Sequence, residues 1–183
     1  DCSLPLPTQT IIMMILMNPS FKPWANKKIR QAVAHAIDRD RIIKNILQDM
    51  ARKLRGPIGP GQIGYDEARA NKDFVRDYDP AKAIRLVKEA GFPNGVDVEL
   101  STPVGRYVND KIISQAVVPM LAKVGIRAKL ITPEWATQWA GVRKGKKSFF
   151  YQGRGSVIDP GPALAQYFQT GVSPRIKYSN PKY

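Results

Sequence analysis

"VDVELSTPVGRYVNDKIISQAVVPMLAKVGIRAKLIT", residues 96–132, changes its hydrophobic period twice, and those changes decide the fold. In "VDVELST" (96–102) apolar and polar residues alternate, the period of a half-buried strand. The period then lengthens: Ile113, Ala116, Val117, Met120, Leu121 and Val124 fall on one face of a helix, with Asn109 as its N-cap and Gly125 at its exit. "IRAKLIT" (126–132) alternates again. Strand, long helix and strand in succession make a βαβ unit, whose crossover is right-handed and whose strands are parallel. Pro119 lies inside the helix and should bend it, because an interior proline costs about 3 kcal/mol in a straight helix.

Towards the N-terminus, Asp79 and Pro80 form an N-cap and N1 pair; a helix runs through Ala83, Ile84, Val87 and Ala90, and Gly91 closes it. The preceding stretch, 55–80, is crowded with Gly, Pro and polar residues and reads as a connection lying over a surface. In "KKIRQAVAHAIDRDRIIKNI" (27–46), Ile29, Ala32, Val33, Ala36 and Ile37 form a core-facing stripe. Asp38 is placed to cap a second helical turn that buries Ile42, Ile43, Ile46 and Leu47. His35 lies off the stripe with no ligand or nucleophile spacing around it, so it reads as a solvated or hydrogen-bonded histidine. The apolar run "TIIMMILM" (10–17) is far short of the roughly 20 residues that span a bilayer and reads as a buried strand.

Towards the C-terminus, Thr132 and Pro133 start a shorter helix carrying Trp135 and Trp139, and "KSFFYQG" (147–153) reads as a further strand. "GRGSVIDPGPA" is a loop leading into the apolar segment "LAQYF", and residues 174–183 read as a loosely ordered tail. Residues 1–183 are thus expected to form a single lobe-sized domain of α/β class.

Composition narrows the function. With 43% hydrophobic and 24% charged residues the chain has the make-up of a globular protein, but 29 Lys+Arg against 15 Asp+Glu leave a net charge of +14. Such a balance attracts polyanions, so a nucleic-acid- or polyanion-binding domain stands as the alternative to every other reading. The basic residues are spread along the chain, though, with no block longer than "RKGKK" at 143–147. The lone cysteine, Cys2, excludes an internal disulfide, and a start at Asp1 rather than Met suggests a segment of a longer protein.

Catalytic material is scarce. "GVRKGKKS" (141–148) fails as a phosphate-binding loop, because three residues separate Gly141 from Gly145 and Lys147 stands where Ser or Thr would ligate magnesium. "GRGSVI" lacks the third glycine of a dinucleotide fingerprint. With one His, one Cys and no nucleophile elbow, triads and metal clusters have almost nothing to work with, and the Asp38/Asp40 pair is explained by capping. No enzyme, metal or cofactor is expected.

"IRQAVAHAIDRDRII", "GPIGPGQIGYD", "YDPAKAIRLVKEAGFPNG", "GRYVNDKIISQAVVPMLAKVGI", the Asp-Pro of "GSVIDP" and "YSNP" occur here in an order that resembles the family 5 extracellular solute-binding proteins. These are the dipeptide-, oligopeptide- and nickel-type receptors of ABC importers. The resemblance implies one lobe of a two-lobed periplasmic binding protein (type II, cluster C-like). It further implies a peptide or small solute as ligand, a membrane permease and a missing N-terminal lobe as partners, a periplasmic location and no nucleic acid.

Ligands of open α/β sheets sit beyond the carboxyl ends of strands, here Thr102–Arg106, Thr132–Trp135 and Gln152–Ser156. The candidate ligand-binding residues are Arg106, Tyr107, Trp135, Gln152, Arg154 and Ser156. By the resemblance, Arg106 pairs with a ligand carboxylate and Trp135 lines the pocket. Relatives also carry an aromatic and then an ammonium-binding aspartate before the Asp-Pro motif, where this chain has Arg154 and Ser156 or Val157. That departure, with Arg106 and Arg154 expected to face one cleft from neighbouring strand ends, points to an anionic solute or a blocked peptide.

Overall fold

The computed structural model describes residues 11–54, 56–66, 68, 76–155, 158–171 and 175–179. Among these, the strands β1 (Ile11–Met17), β2 (Val96–Ser101), β3 (Ile126–Ile131) and β4 (Phe149–Gly155) form one sheet in the order β1-β4-β2-β3. The helices are α1 (Lys27–Ala36), α2 (Arg39–Asn45), α3 (Pro80–Glu89), α4 (Asp110–Ala122), α5 (Trp135–Arg143) and α6 (Gly161–Phe168). β2 and β3 are parallel, paired from Val96 with Ile126 to Ser101 with Ile131, as a crossover through α4 requires.

β4 enters the middle of the sheet, antiparallel to β1 and parallel to β2. It meets β2 where Phe150 pairs with Ser101, so Tyr151–Gly155 run past the end of β2 alongside Ile11–Ile15 of β1. This overhang positions the candidate site.

One face of the sheet is covered by α1 to α4, whose Ile29, Val33, Val87, Ile113, Val117 and Leu121 bury against Leu100, Ile126, Phe149 and Tyr151. On the other face Val142 of α5, Tyr167 of α6 and Ile176 cover Leu16 and Phe150. The part of that face on β2 and β3 stays in water. There Asp97 stands opposite Arg127 and Glu99 opposite Lys129, and the Arg127 Nε donates to Asp97 Oδ1 at 2.7 Å. Water screens an exposed pair of this kind, so its main role is to keep the sheet edge soluble.

β1, read from the sequence as a buried strand, lies at the edge of the sheet. Its run of apolar residues arises because both faces are covered: Met13, Ile15 and Met17 pack on the first cluster, Met14 and Leu16 on the second.

The stripe of α1 buries as read, and α1 lies antiparallel to α3. Asn26, the α1 N-cap, donates to the Ala90 carbonyl at 3.2 Å, while at the other end the Asp79 N–H donates to the His35 carbonyl at 2.9 Å. His35 is itself buried, its Nδ1 2.8 Å from the Asp77 carbonyl, and so fastens the start of α3. Asp38 and Asp79 cap α2 and α3 by accepting from the N–H groups of Arg41 and Lys82. Asp79→Ala is expected to cost about 1 kcal/mol in urea unfolding, because the cap is lost and nothing replaces it.

α4 runs unbroken through Pro119. The proline is exposed and lies near the end of the helix, so the carbonyl deprived of a partner, that of Gln115, is on the wet side. Asn109 does occupy the N-cap position, but with left-handed backbone (φ 52°) and no side-chain cap; its amide donates instead to the Ile46 carbonyl at 3.2 Å.

Candidate functional site

The capping work missing from Asn109 is done by its neighbour, in the opposite direction. Asp110 is buried, and its carboxylate accepts from the backbone N–H groups of Gly105 (3.1 Å), Arg106 (2.9 Å), Tyr107 (2.9 Å) and Lys111 (2.7 Å). A carboxylate holding four amide donors fixes the path of the "GRYVND" loop at the carboxyl end of β2. Through that loop the sequence sets where Arg106 and Tyr107 point.

Tyr107 lies over the overhang of β4, so close to Gly153 that a Cβ there would stand 2.6 Å from its ring. Tyr107 meets Trp135 edge to face at 5.7 Å and Tyr151 at 6.2 Å between ring centroids. Trp135 in turn stacks on Trp139, one helical turn on, with centroids 5.3 Å apart and planes 18° from parallel. α5 is held against the sheet by Gln138, which is fully buried, accepts from the Ser101 hydroxyl and donates to the Ser101 carbonyl.

The Arg106 guanidinium rests on this aromatic shelf, 5.0 Å from the centroid of Trp135 and 5.4 Å from that of Tyr107. The side chain is exposed, and among the described residues no acceptor takes its N–H groups. A guanidinium steadied by two rings and lacking a carboxylate is suited to receive one from a ligand.

Gln152 and Arg154 project from the opposite face of β4 to Tyr107. Gln152 is buried; its Nε2 donates to the Tyr167 hydroxyl at 2.7 Å, and its Oε1 has no partner among the described residues. Arg154 donates to the Pro57 carbonyl at 2.8 Å, and its Nη1 is likewise buried with no partner among the described residues. The structure therefore does not join Arg154 to Arg106, as expected from their neighbouring strand ends: alternation along β4 sends residues 152 and 154 to the other face from Gly153. Ser156 lies outside the described residues.

A residue that the sequence did not mark joins the group. Arg175 lies 4.8 Å from the Trp139 centroid and 4.9 Å from that of Tyr167, and donates to the Tyr167 hydroxyl at 2.7 Å. Ile176 beside it is buried. Nothing periodic surrounds Arg175, so no pattern could have found it; Trp139 was visible through its i, i+4 spacing from Trp135.

Burial pushes the hydroxyls of Tyr107, Tyr151 and Tyr167 above the ordinary tyrosine value, opposed at Tyr107 chiefly by Arg106 and at Tyr167 by Arg175. All three stay neutral near pH 7 and serve as hydrogen-bonding groups. Burial lowers the pKa of Arg154, yet a guanidinium remains cationic. The site thus gathers guanidinium groups, aromatic faces and neutral hydroxyls.

Among the described residues no His, Cys, Asp and Glu cluster could hold a metal. A cavity of about 160 Å³ lined by Ile84, Val87, Phe92, Lys123 and Val124 lies at the amino ends of β2 and β3, away from these groups.

Residues 5–174 match the model of the bacterial extracellular solute-binding proteins, family 5 Middle. The glutathione-binding protein GsiB of Pectobacterium atrosepticum is 33% identical over 92% of this chain and 34% of its own length. The periplasmic binding protein AgaA from A. tumefaciens R10, solved with agropinic acid, superposes with a TM-score of 0.81 at 28% identity, over 94% of this chain and 35% of that one. The ABC transporter-associated periplasmic binding protein DppA from Helicobacter pylori, solved with the peptide STSA, gives a TM-score of 0.79 at 26% identity, over 97% of this chain and 36% of that one. The chain spans about a third of the length of these relatives, and its fold is that of one α/β lobe of a periplasmic binding protein. With the family model covering nearly all of it, the chain belongs to the family 5 bacterial extracellular solute-binding proteins.

Proposed function

We propose that the chain provides a solute-contacting lobe of an ABC-importer receptor for peptides or related small solutes. It would act in the periplasm, closing with a second lobe on the ligand and handing it to a membrane permease. The observation that carries this reading is Arg106, held by the Asp110-bound loop over Trp135 and Tyr107 with no carboxylate partner among the described residues. Family membership supports it, as do the ligands named for GsiB and DppA. These relatives are binding proteins, and the site has the donors and aromatic faces of a binding surface rather than a nucleophile and base. No helix among the described residues is long and apolar enough to cross a membrane.

A polyanion-binding domain is not favoured. Several basic side chains are engaged within the fold: Lys28 with Glu89, Lys53 with Asp40, Arg127 with Asp97, and Arg30 and Arg154 with backbone carbonyls. These break up the continuous basic stripe that phosphate tracking needs.

Calorimetry with a short peptide and its C-terminal amide tests the reading. The free acid is expected to bind more tightly than the amide, and Arg106→Ala to weaken the acid by roughly 30–100-fold, the loss of a charge-assisted pair. Equal affinities for acid and amide, unchanged by Arg106→Ala, would refute the assignment.

A further inference from the structure

We propose that the solute carries two acidic groups, one received by Arg106 and the other by Arg175, each guanidinium standing at one indole of the stacked Trp135–Trp139 pair. The inference rests on the solute-binding reading above and names the class of ligand.

Arg175 resembles Arg106 in its surroundings. Each guanidinium lies on two aromatic rings, Arg106 on Tyr107 and Trp135, Arg175 on Trp139 and Tyr167. One N–H of Arg175 donates to the Tyr167 hydroxyl, and no carboxylate among the described residues accepts from either arginine. Contacts to two rings restrict a long side chain before any ligand arrives, so less entropy is lost on binding. They also leave the edge of the guanidinium, where its donors lie, available to a partner.

Charge makes the second acid necessary rather than incidental. Behind β4, Arg154 is held on the Pro57 carbonyl, and among the described residues no acid pairs with Arg106, Arg175 or Arg154. Covering such a surface with a neutral solute would strip water from guanidinium groups and give nothing back, an unpaired buried charge being costly. A ligand with one acid would satisfy Arg106 alone. One with two acids satisfies both and relieves their mutual repulsion. The distance between the two guanidinium carbons cannot exceed the three successive centroid distances laid end to end, 5.0, 5.3 and 4.8 Å. An extended peptide of about four residues covers that length.

The competing explanation is that Arg175 only packs on Trp139 and steadies α6. Calorimetry on the chain with Glu-Ala-Ala, Ala-Glu-Ala and Ala-Ala-Glu, each against its Gln counterpart, separates the two. At least one Glu peptide is expected to bind about tenfold more tightly than its Gln counterpart at low salt, an advantage that shrinks as salt is raised. Arg175→Gln is expected to bring the ratio close to one. Peptides that bind with no Glu preference in the wild-type chain would overturn the second acidic group and leave solute binding standing. A preference that survives in folded Arg175→Gln would overturn the role of Arg175. Should that variant not fold, Arg175→Lys decides: it keeps the charge but not the fork, so a reduced ratio supports the proposal and an unchanged one overturns it. If no peptide of either kind binds, the solute-binding reading falls and this inference with it.

Discussion

Asp110→Ala is expected to destabilise the chain by about 3 kcal/mol and to weaken solute binding as much as loss of Arg106 does. Four backbone N–H groups lose a buried charged acceptor at once. Gly105 and Arg106 are exposed, so water recovers part of the loss, which keeps the cost below the sum of four charge-assisted bonds. For a chain of this size that corresponds to a fall in Tm of roughly 6–12 °C. Asp110→Asn should fall between, since an amide keeps one accepting oxygen and sets an N–H against donors. Asp110 acts by positioning the loop, not by contacting solute. The double variant Asp110→Asn with Arg106→Ala should therefore bind little worse than Arg106→Ala alone, whereas independent contributions would add.

Gly153→Val should produce the second large effect, by a different route. Even the Cβ would stand 2.6 Å from the Tyr107 ring and 3.1 Å from Ile11 Cγ2, so the ring must leave the surface of β4. Overpacking of this kind costs about 1–3 kcal/mol. The more telling loss is functional, because Tyr107 contacts both Arg106 and Trp135. Solute affinity should fall by roughly an order of magnitude while the far-ultraviolet dichroism spectrum stays that of the wild type. Retained affinity would show that Tyr107 is not part of the binding surface.

The sheet's parallel pair was legible because Val98, Leu100, Ala128 and Leu130 alternate with charged or polar neighbours while Ile113, Val117 and Leu121 recur at helical spacing. The caps at Asp38 and Asp79 were legible for the same local reason. What escaped was set by tertiary contacts. The uninterrupted apolar run of β1 signals cover on two faces, which central and edge strands share, so it could not reveal an edge position. Asn109 and Asp110 are both good capping residues in composition; only the left-handed backbone at Asn109 transfers the task to the carboxylate beside it, where it organises the loop instead. At the site, Arg106, Tyr107 and Trp135, which strand ends and resemblance mark in the sequence, come together in one cluster. Arg154 was named on the same grounds and turns to Pro57, because a one-residue offset along a strand reverses the face. Arg175 is far from the others in sequence and reaches Trp139 only once the chain has folded.

The proposed binding surface is the carboxyl end of β2, β3 and β4. Titration of the ¹⁵N-labelled chain with a free-carboxylate peptide, followed by NMR, tests this directly. The backbone signals of residues 104–107 and 152–154 and the indole signals of Trp135 and Trp139 are expected to shift together and saturably. The indole of Trp24, buried in the core, should stay in place. Shifts confined to the cavity around Ile84, Phe92 and Val124, with the Trp135 and Trp139 indoles unmoved, would contradict it.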